Sequence, residues 1–376
     1  MIKYLGSKRR LAPVLGDLAV ASGARTALDL FTGTTRVAQE LKRRGLHVTA
    51  CDSARYSEVF GRCYVEADAD EVDVAALDAA LGELSALDGR AGYVTETFCR
   101  ASRFFHPDNG ERIDAIRDGI ADRYAGHPLE PMLLTSLIEA ADRVDSTTGV
   151  QMAYVKQWAP RALRPLELRR PVLVAGSGAA LRGDAVSLAR SLGPFDLAYL
   201  DPPYNQHRYF TNYHVWETLV AWDAPEHYGV ACKRIDARDP ATRSAFNRRR
   251  EMPVALADVL GHVDADVVIL SFNDEAWFDL DDLVELCRRR AQVAVVGFDA
   301  PRYVGARIGI HDPSGTKVGT VGRLRNVERL FLVGDTPALR RMFPVALAGG
   351  GEPVITPPSR RRSISAREPG TGLRGA

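Results

Sequence analysis

The residues best suited to take part in a reaction are Asp201, Pro202, Pro203 and Tyr204, which directly follow an apolar run. The run has the length of a buried strand and two consecutive prolines end it, so the turn is expected at one edge of a sheet. Because proline has no backbone N–H, the turn presents mainly acceptors: the Asp201 carboxylate and the carbonyl groups of Asp201 and Pro202. Such a corner can bind an amino group, and the Tyr204 ring offers a flat surface on which a base could stack. An ordinary strand-ending turn is the alternative interpretation.

A second group of polar residues surrounds a short turn near the start of the chain. A buried strand, a turn of small residues and a helix are predicted between residues 26 and 42. The next predicted strand ends in Asp52, roughly 20 residues after Gly33, a spacing that places an acid where it can bind ribose hydroxyls. With only one glycine, the turn lacks the close backbone approaches that a pyrophosphate requires. It therefore argues against NAD and favours S-adenosylmethionine as a nucleoside cofactor.

Asp184 ends another short predicted strand, so it is a third acid at a strand tip beside Asp52 and Asp201. The carboxyl ends of parallel strands meet at one edge of a sheet, and the three acids are therefore expected beside one crevice. A polar and aromatic loop follows the prolines, and loops of this composition commonly bind ligands. Its histidines, His207 and His214, lack partners at metal-ligand spacing, so no metal site is predicted.

The chain as a whole has the composition of a globular protein. Of its 376 residues 46% are hydrophobic and 26% are charged, and no apolar run approaches the length of a membrane span. The first residues lack the apolar core of a secretory signal, so a cytoplasmic protein without a membrane anchor is expected. Five cysteines without a CxxC pair indicate neither a disulfide framework nor a zinc site. The net charge of +1 leaves nucleic-acid binding to local clusters of Lys and Arg.

The alternation of strands and helices lapses between residues 53 and 171, which predicts a mainly helical insertion. Arginines there are interleaved with Tyr154 and Trp158 and could contact phosphates and bases, although a solvated helical face explains them equally well. These arginines are Arg161, Arg164, Arg169 and Arg170. A second arginine-rich stretch, residues 234–250, has no apolar stripe and is predicted to be a mobile basic loop that could lie on a phosphate backbone.

The remainder of the sheet is predicted from three apolar runs in the last third of the chain. Strands are expected at residues 266–274, 292–298 and 328–333, and the last two could form a hairpin. Residues 346–376 are rich in Gly, Pro, Ser and Arg and are predicted to be a disordered tail.

Together these segments resemble the Dam-like family of DNA adenine N6-methyltransferases. Residues 3–8 are similar to its amino-terminal motif, residues 29–35 to its cofactor loop, and the Asp-Pro-Pro-Tyr turn at 201–204 to its catalytic motif. The order of the motifs also agrees, because the family places a target-recognition insertion between the cofactor loop and the catalytic motif. One position departs from the family pattern: Thr35 stands where glycine is usual, and a β-branched residue restricts the backbone there.

The resemblance implies an α/β fold: a Rossmann-like sheet of S-adenosylmethionine-dependent methyltransferases with an inserted, mainly helical target-recognition region. Residues 1–60 and 172–345 would form the catalytic domain and residues 61–171 the insertion. Catalysis would fall to Asp201, Pro202 and Tyr204. Cofactor binding would fall to a larger set, in which Tyr4 and Lys8 lie near the methionine end and Asp184 at the adenine edge: Tyr4, Lys8, Asp29, Phe31, Gly33, Asp52 and Asp184.

The implied reaction is site-specific transfer of a methyl group from S-adenosylmethionine to adenine N6 in double-stranded DNA, without a metal. A cognate restriction endonuclease is a candidate partner, as in a restriction-modification system. Because the same acceptor turn can serve any planar amino group, cytosine N4, RNA and a protein amide are alternative substrates. A catalytically idle DNA-binding module is the alternative from another class of protein.

Overall fold

The apolar runs of the chain pair into one large sheet in the computed structural model, which describes residues 2–147, 149–301, 310–311, 317–319 and 325–358. The strands in chain order are β1 (Thr26–Asp29), β2 (His47–Asp52), β3 (Gly178–Arg182), β4 (Phe195–Leu200), β5 (His227–Tyr228), β6 (Lys233–Arg234), β7 (Ala265–Asn273), β8 (Gln292–Pro301), β9 (Ile310–His311), β10 (Lys317–Gly319), β11 (Arg325–Gly334) and β12 (Glu352–Ile355). The large sheet has eight strands in the order β12-β8-β11-β7-β4-β1-β2-β3, and β5 with β6 and β9 with β10 form two small antiparallel pairs.

Helices connect most of these strands. The α-helices are α1 (Ala12–Ser22), α2 (Arg36–Arg43), α3 (Arg55–Gly61), α4 (Val74–Ser85), α5 (Pro107–Tyr124), α6 (Glu130–Arg143), α7 (Ala185–Ser191), α8 (Tyr209–Asn212), α9 (His214–Ala221), α10 (Met252–His262), α11 (Leu280–Arg288) and α12 (Thr336–Ala348). Two π-helical segments, Arg62–Glu66 and Thr95–Arg100, and four 3₁₀ turns, Pro160–Leu163, Ile235–Arg238, Pro240–Thr242 and Ala245–Asn247, complete the described helical structure.

The five strands from β3 to β7 in the sheet order run parallel, and β11 is antiparallel to both β7 and β8. A parallel sheet is covered on both faces, which is why its strands read as continuous apolar runs rather than as alternating ones. Successive residues of β4 enter different cores: Leu197 and Tyr199 belong to one buried cluster, and Ala198 and Leu200 to the other. The Rossmann-like α/β fold is therefore confirmed.

The inserted region is helical, as predicted, and packs into the first of the two cores. Buried apolar residues of α4, α5 and α6 belong to the same cluster as residues of β1, β2 and β4. Helix α6 contacts α3 and α9, so the insertion is fastened to the catalytic sheet by helices on either side of it in the sequence. The proposed division into domains at residues 61 and 171 stays a prediction.

Two sequence predictions were wrong in the part of the chain that the structure describes. Residues 346–358 are not a disordered tail, because α12 extends to Ala348 and β12 pairs antiparallel with β8 as the edge strand. The composition is poor in apolar residues because an edge strand has one neighbour and little burial. Residues 359–376 of that prediction lie outside the described residues.

The arginine-rich stretch 234–250 is also not a loose loop, since three 3₁₀ turns organise it and Arg234 is buried between Asp223 and Asp236, 2.7 Å from each. No described helix has the length and apolar character needed to cross a membrane.

Candidate active site

One cavity of about 470 Å³ lies at the carboxyl ends of the four neighbouring strands β4, β1, β2 and β3. Its lining includes one predicted site residue from beyond each strand end: Phe31, Asp52, Asp184 and Asp201. Tyr4 lines the cavity from the amino-terminal segment. The predicted crevice therefore exists, and the loop predicted to bind the cofactor contributes Phe31 to it while the Asp-Pro-Pro-Tyr turn contributes Asp201 and Pro203. Apart from Lys8, four of the predicted site residues are not among its lining residues: Asp29, Gly33, Pro202 and Tyr204.

Asp201 directly follows β4 and is ion-paired with Lys8, which also contacts Glu328. The Nζ atom of Lys8 is 3.0 Å from Asp201 Oδ1 and 3.1 Å from Glu328 Oε1, so one ammonium lies between two carboxylates. The approach to Asp201 lacks the alignment of a hydrogen bond, and Oδ1 has no hydrogen-bond partner among the described residues. Burial raises the pKa of Asp201 to about 6, against the opposing effect of Lys8 and with the support of Glu328. At neutral pH the turn therefore holds an ionised carboxylate that borders the cavity and is paired with Lys8.

Pro202 and Tyr204 complete the turn beside this carboxylate. Pro202 is buried, and Tyr204 is partly buried with its ring 5.7 Å from that of Phe272, measured between centroids. The Lys8 Nζ lies 5.6 Å from the Tyr204 ring centroid, and the backbone N–H of Trp277 donates to the Tyr204 carbonyl at 3.3 Å. The Tyr204 side chain is thus held by neighbours from β7 and the amino-terminal segment. Its stacking on a substrate base stays a prediction.

The cofactor loop is closed by hydrogen bonds that involve its acids. The Gly33 N–H donates to Asp52 Oδ2 at 2.9 Å, and the Ala54 N–H donates to Asp52 Oδ1 at 3.0 Å. Gly33 has φ +51°, and a Cβ atom built on it would lie 3.0 Å from the Tyr4 ring, so only glycine fits this close approach. Asp52 therefore shapes the loop as well as ending β2.

Asp29 ends β1 behind this loop and is almost fully buried. The Thr32 hydroxyl donates to its Oδ2 atom at 2.9 Å, while Oδ1 is buried without a hydrogen-bond partner in the described structure. Burial raises the pKa of Asp29 to about 7, an effect that the hydrogen bond from Thr32 partly offsets. A buried oxygen without a hydrogen-bond partner could accept a hydrogen bond from a bound ligand.

Thr35, the departure from the family pattern, adopts the backbone that glycine would have. Its φ is 59° and its ψ 18°, in the left-handed region, and its side chain is buried. The side-chain amide of Gln39 donates to Thr35 Oγ1 at 2.8 Å, and the Thr35 hydroxyl donates to the Thr34 carbonyl at 2.7 Å. These bonds offset part of the cost of a left-handed β-branched residue, so the loop keeps its geometry.

The other two predicted cofactor residues have contacts that the sequence did not indicate. Asp184 caps helix α7, accepting from the N–H groups of Val186 and Ser187 at 3.1 Å, and its exposed carboxylate still borders the cavity. Lys8 is not among the cavity-lining residues; it is buried against Asp201 rather than extended to the cofactor loop. Lys8 therefore belongs with the turn predicted to be catalytic.

Two parts of the site were missed by sequence reasoning. Glu328 contributes from the first half of β11, which also contains Arg325, Asn326 and Arg329, so no local signal distinguished it. The arginine-rich stretch closes one side of the cavity with Arg243 and Asn247 among others. It is fastened to the loop after the turn, since Asn247 donates its side-chain amide to the carbonyls of Asn205 and His207, both at 3.0 Å. No local pattern in the sequence predicts these long-range contacts.

A Rossmann-like sheet with a single-glycine loop at β1 and an acceptor-rich Asp-Pro-Pro-Tyr turn at β4 defines a methyltransferase that acts on an amino nitrogen. Comparison with known families identifies it more closely. Residues 4–248 match the family described as D12 class N6 adenine-specific DNA methyltransferase, and the chain belongs to this family. It is therefore an enzyme of the DNA adenine methyltransferase class, which decides against cytosine N4, RNA, a protein amide and an idle binding module.

Individual relatives agree with this family. The chain is 28% identical over 318 residues to the type II methyltransferase M.NlaIII of Neisseria lactamica, an alignment that covers 80% of this chain and 92% of that protein. It is 27% identical over 305 residues to the modification methylase StsI of Streptococcus sanguinis, covering 76% of this chain but 46% of the relative. It is 29% identical over 237 residues to the type II methyltransferase M.CviAII of Paramecium bursaria Chlorella virus 1, an alignment that covers 57% of this chain and 69% of that protein.

Proposed function

We propose that this enzyme transfers a methyl group from S-adenosylmethionine to adenine N6 at a specific site in double-stranded DNA, as the modification enzyme of a restriction-modification pair. One observation carries the proposal: the Asp201 carboxylate borders the cavity at the carboxyl end of β4, directly before Pro202, Pro203 and Tyr204. The names of the relatives, two type II methyltransferases and a modification methylase, support the pairing with an endonuclease.

The residues around the cavity fit S-adenosylmethionine. The loop has a single glycine, Gly33, which suits a nucleoside cofactor without a pyrophosphate. Asp52 borders the cavity at the end of β2, where an acid can bind ribose hydroxyls, and Phe31 and Tyr4 supply apolar surface. Asp29 does not line the cavity; it lies buried behind the loop, with an Oδ1 atom that has no hydrogen-bond partner among the described residues. When bound, the cofactor supplies an electrophilic methyl group.

The chain's own contribution to the reaction is the acceptor turn. The lone pair of an exocyclic amine is delocalised into the ring, and acceptors on its N–H bonds make the nitrogen more nucleophilic. The Asp201 carboxylate and the Pro202 carbonyl would accept hydrogen bonds from these two N–H groups and orient the amine, while Tyr204 would stack on the base after it leaves the duplex. Because N6 gains positive charge as it is methylated, the Asp201 carboxylate also stabilises the transition state and can accept the departing proton.

We assign DNA binding to the insertion, which the family resemblance implies is the target-recognition region and which carries a groove lined by four arginines. Arg143, Arg161, Arg164 and Arg169 border it, with Glu167 as its acidic member. The neighbouring Arg169 and burial both lower the pKa of Arg143, burial having the larger effect, so the guanidinium groups repel one another in the free protein. Phosphate oxygens would relieve this repulsion, which favours a nucleic-acid backbone as the ligand. Nearby, the Arg103 guanidinium stacks 4.5 Å from the Trp158 ring centroid.

The test is methyl transfer from radiolabelled S-adenosylmethionine to unmethylated duplex DNA and to RNA, followed by analysis of the product nucleosides. We expect label in DNA as N6-methyladenine, loss of transfer in Asp201→Asn, and normal transfer in Asp122→Asn, an exposed carboxylate on α5. Label in RNA alone, or in cytosine, would contradict the proposal. Methylation-aware sequencing of DNA from an expressing host identifies the site, and the pairing requires an endonuclease that cleaves this site only when it is unmethylated.

A further inference from the structure

Glu328 is a buried carboxylate in the centre of the sheet with no role in the reaction described so far. It lies on β11, where alternation places it on the same face as Ser271 of the neighbouring strand β7, and the Ser271 hydroxyl donates to Glu328 Oε1 at 2.6 Å. Glu328 is 7% exposed and Ser271 is fully buried. A buried carboxylate is costly unless it is paired, and the partner that the structure provides is Lys8, at 3.1 Å.

The same ammonium also faces Asp201, so three charges share one buried site. The titratable groups that face Asp201 from the surrounding elements are Lys8, Asp29, Tyr199, Tyr204, Tyr209 and Glu328. Lys8 is the one cation in this set, and it divides its charge between Asp201 and Glu328. The cluster of Lys8, Asp201 and Glu328 therefore keeps a net negative charge when all three groups are ionised.

We propose that Glu328 is a positioning residue for methyl transfer: it shares the Lys8 ammonium with Asp201 and so leaves the cluster of three groups with a net negative charge beside the substrate amine. This inference rests on the proposed function. If Lys8 faced Asp201 alone, the ammonium would neutralise the carboxylate. With Glu328 present, the ammonium lies 3.0 Å from Asp201 Oδ1 and 3.1 Å from Glu328 Oε1, so its charge is divided and the developing positive charge on the nitrogen meets a cluster that is negative overall.

Glu328 also affects the proton affinity of Asp201. Its negative charge is one cause of the raised pKa of Asp201, after burial and against the effect of Lys8. Removing this charge lowers the pKa of Asp201, which makes the carboxylate a weaker acceptor. The acid limb of the pH profile of kcat, set by protonation of Asp201, should then move to lower pH.

The experiment compares Glu328→Gln with the parent enzyme. Glutamine keeps an acceptor for Ser271 and Lys8 but carries no charge. We expect kcat to fall about 10- to 100-fold, less than the ~10²–10³ typical when a group that touches the reacting atoms is lost, with little change in KM for DNA or in S-adenosylmethionine affinity. The acid limb of kcat should shift to lower pH. Glu285→Gln, an exposed carboxylate on α11 that packs on the same sheet, should match the parent in every respect.

Two further variants separate charge from structure. Glu328→Asp keeps the charge and should retain the acid limb with a smaller loss of kcat, whereas Ser271→Ala removes the hydrogen bond and should leave the acid limb in place. A Glu328→Gln enzyme with parental kcat overturns the inference, and so does a loss of kcat with an unmoved acid limb. If the glutamine variant does not fold, Glu328→Asp decides: an acid limb displaced from that of the parent enzyme overturns the inference as well. Absence of adenine methylation by the parent enzyme would instead refute the proposed function.

Discussion

The Asp201→Asn substitution should remove activity while making the protein more stable at neutral pH. The carboxyl group has a folded-state pKa of about 6, raised mainly by burial, against an ordinary value near 3.8. Each pKa unit corresponds to roughly 1.4 kcal/mol, so holding this group ionised in the native state costs on the order of 2–3 kcal/mol above pH 6. Asparagine has the shape of the protonated carboxyl and does not carry this cost.

The pH dependence of the gain in stability on Asp201→Asn follows from the raised pKa of Asp201 in the folded state. Below the unfolded pKa, near 4, the carboxyl is protonated in both states and the substitution should have little effect on the free energy of unfolding. Between about pH 4 and pH 6 the native state binds more protons, so the parent loses stability as the pH rises. The advantage of Asp201→Asn should therefore grow over this range and stay constant above it.

Urea unfolding between pH 4.5 and 8 measures the stability, and methyl transfer to duplex DNA measures the activity. We expect transfer to fall at least ~10²–10³-fold, with S-adenosylmethionine affinity largely kept. Asp122→Asn, at an exposed position on α5, should change neither quantity. Near-parental transfer by Asp201→Asn, or a destabilisation at pH 8 that accounts for the lost activity, would refute the reasoning from burial and charge.

Three other substitutions test the rest of the site. Tyr204→Ala should lose most methyl transfer, together with the fluorescence increase of 2-aminopurine at the target position. Tyr204→Phe should keep both, since base stacking of about 1–3 kcal/mol needs only the ring. Equal activity of the two variants would exclude a stacking role. Asp52→Ala should weaken S-adenosylmethionine binding measured by calorimetry by ~1.5–3 kcal/mol, and unchanged affinity would remove Asp52 from the cofactor site. Arg164→Ala should reduce the salt slope of DNA binding by about 1 without changing the methylated sequence, and Arg288→Ala on α11 is the matched control; equal slopes would place the DNA backbone elsewhere.

Some expectations remain predictions because nothing in the molecule tests them. The cytoplasmic location, the metal-free reaction and the endonuclease partner belong to this group. Among the described residues, no cluster of three or more His, Cys, Asp or Glu side chains has the arrangement of a metal site. His214, one of the two histidines considered, is fully buried with its Nε2 atom 3.0 Å from the Gln151 carbonyl.

The amino-acid sequence by itself determined most of the sheet and the position of the Asp-Pro-Pro-Tyr turn. Apolar runs that end in Asp52 or in Asp201 with its prolines specify a buried strand and its end through local effects: side-chain burial and fixed φ. Because neighbouring parallel strands present their carboxyl ends at one edge, these local signals also predict one shared crevice, and the cavity at β1 to β4 is that crevice.

Only the tertiary structure decided which charges meet inside the site. Lys8 and Glu328 are separated by most of the chain, and each looks ordinary in its own segment, as a basic residue near the terminus and as an acid in a strand. Their contact depends on the place of β11 beside β7 and on the path of the amino-terminal segment over the sheet. The same holds for β12 and for the stretch around Asn247, whose polar composition predicted disorder or mobility. The backbone of β12 and the side-chain amide of Asn247 form their hydrogen bonds with a strand edge and a loop. Such bonds form whether or not the residues are hydrophobic, so amino-acid composition does not predict them.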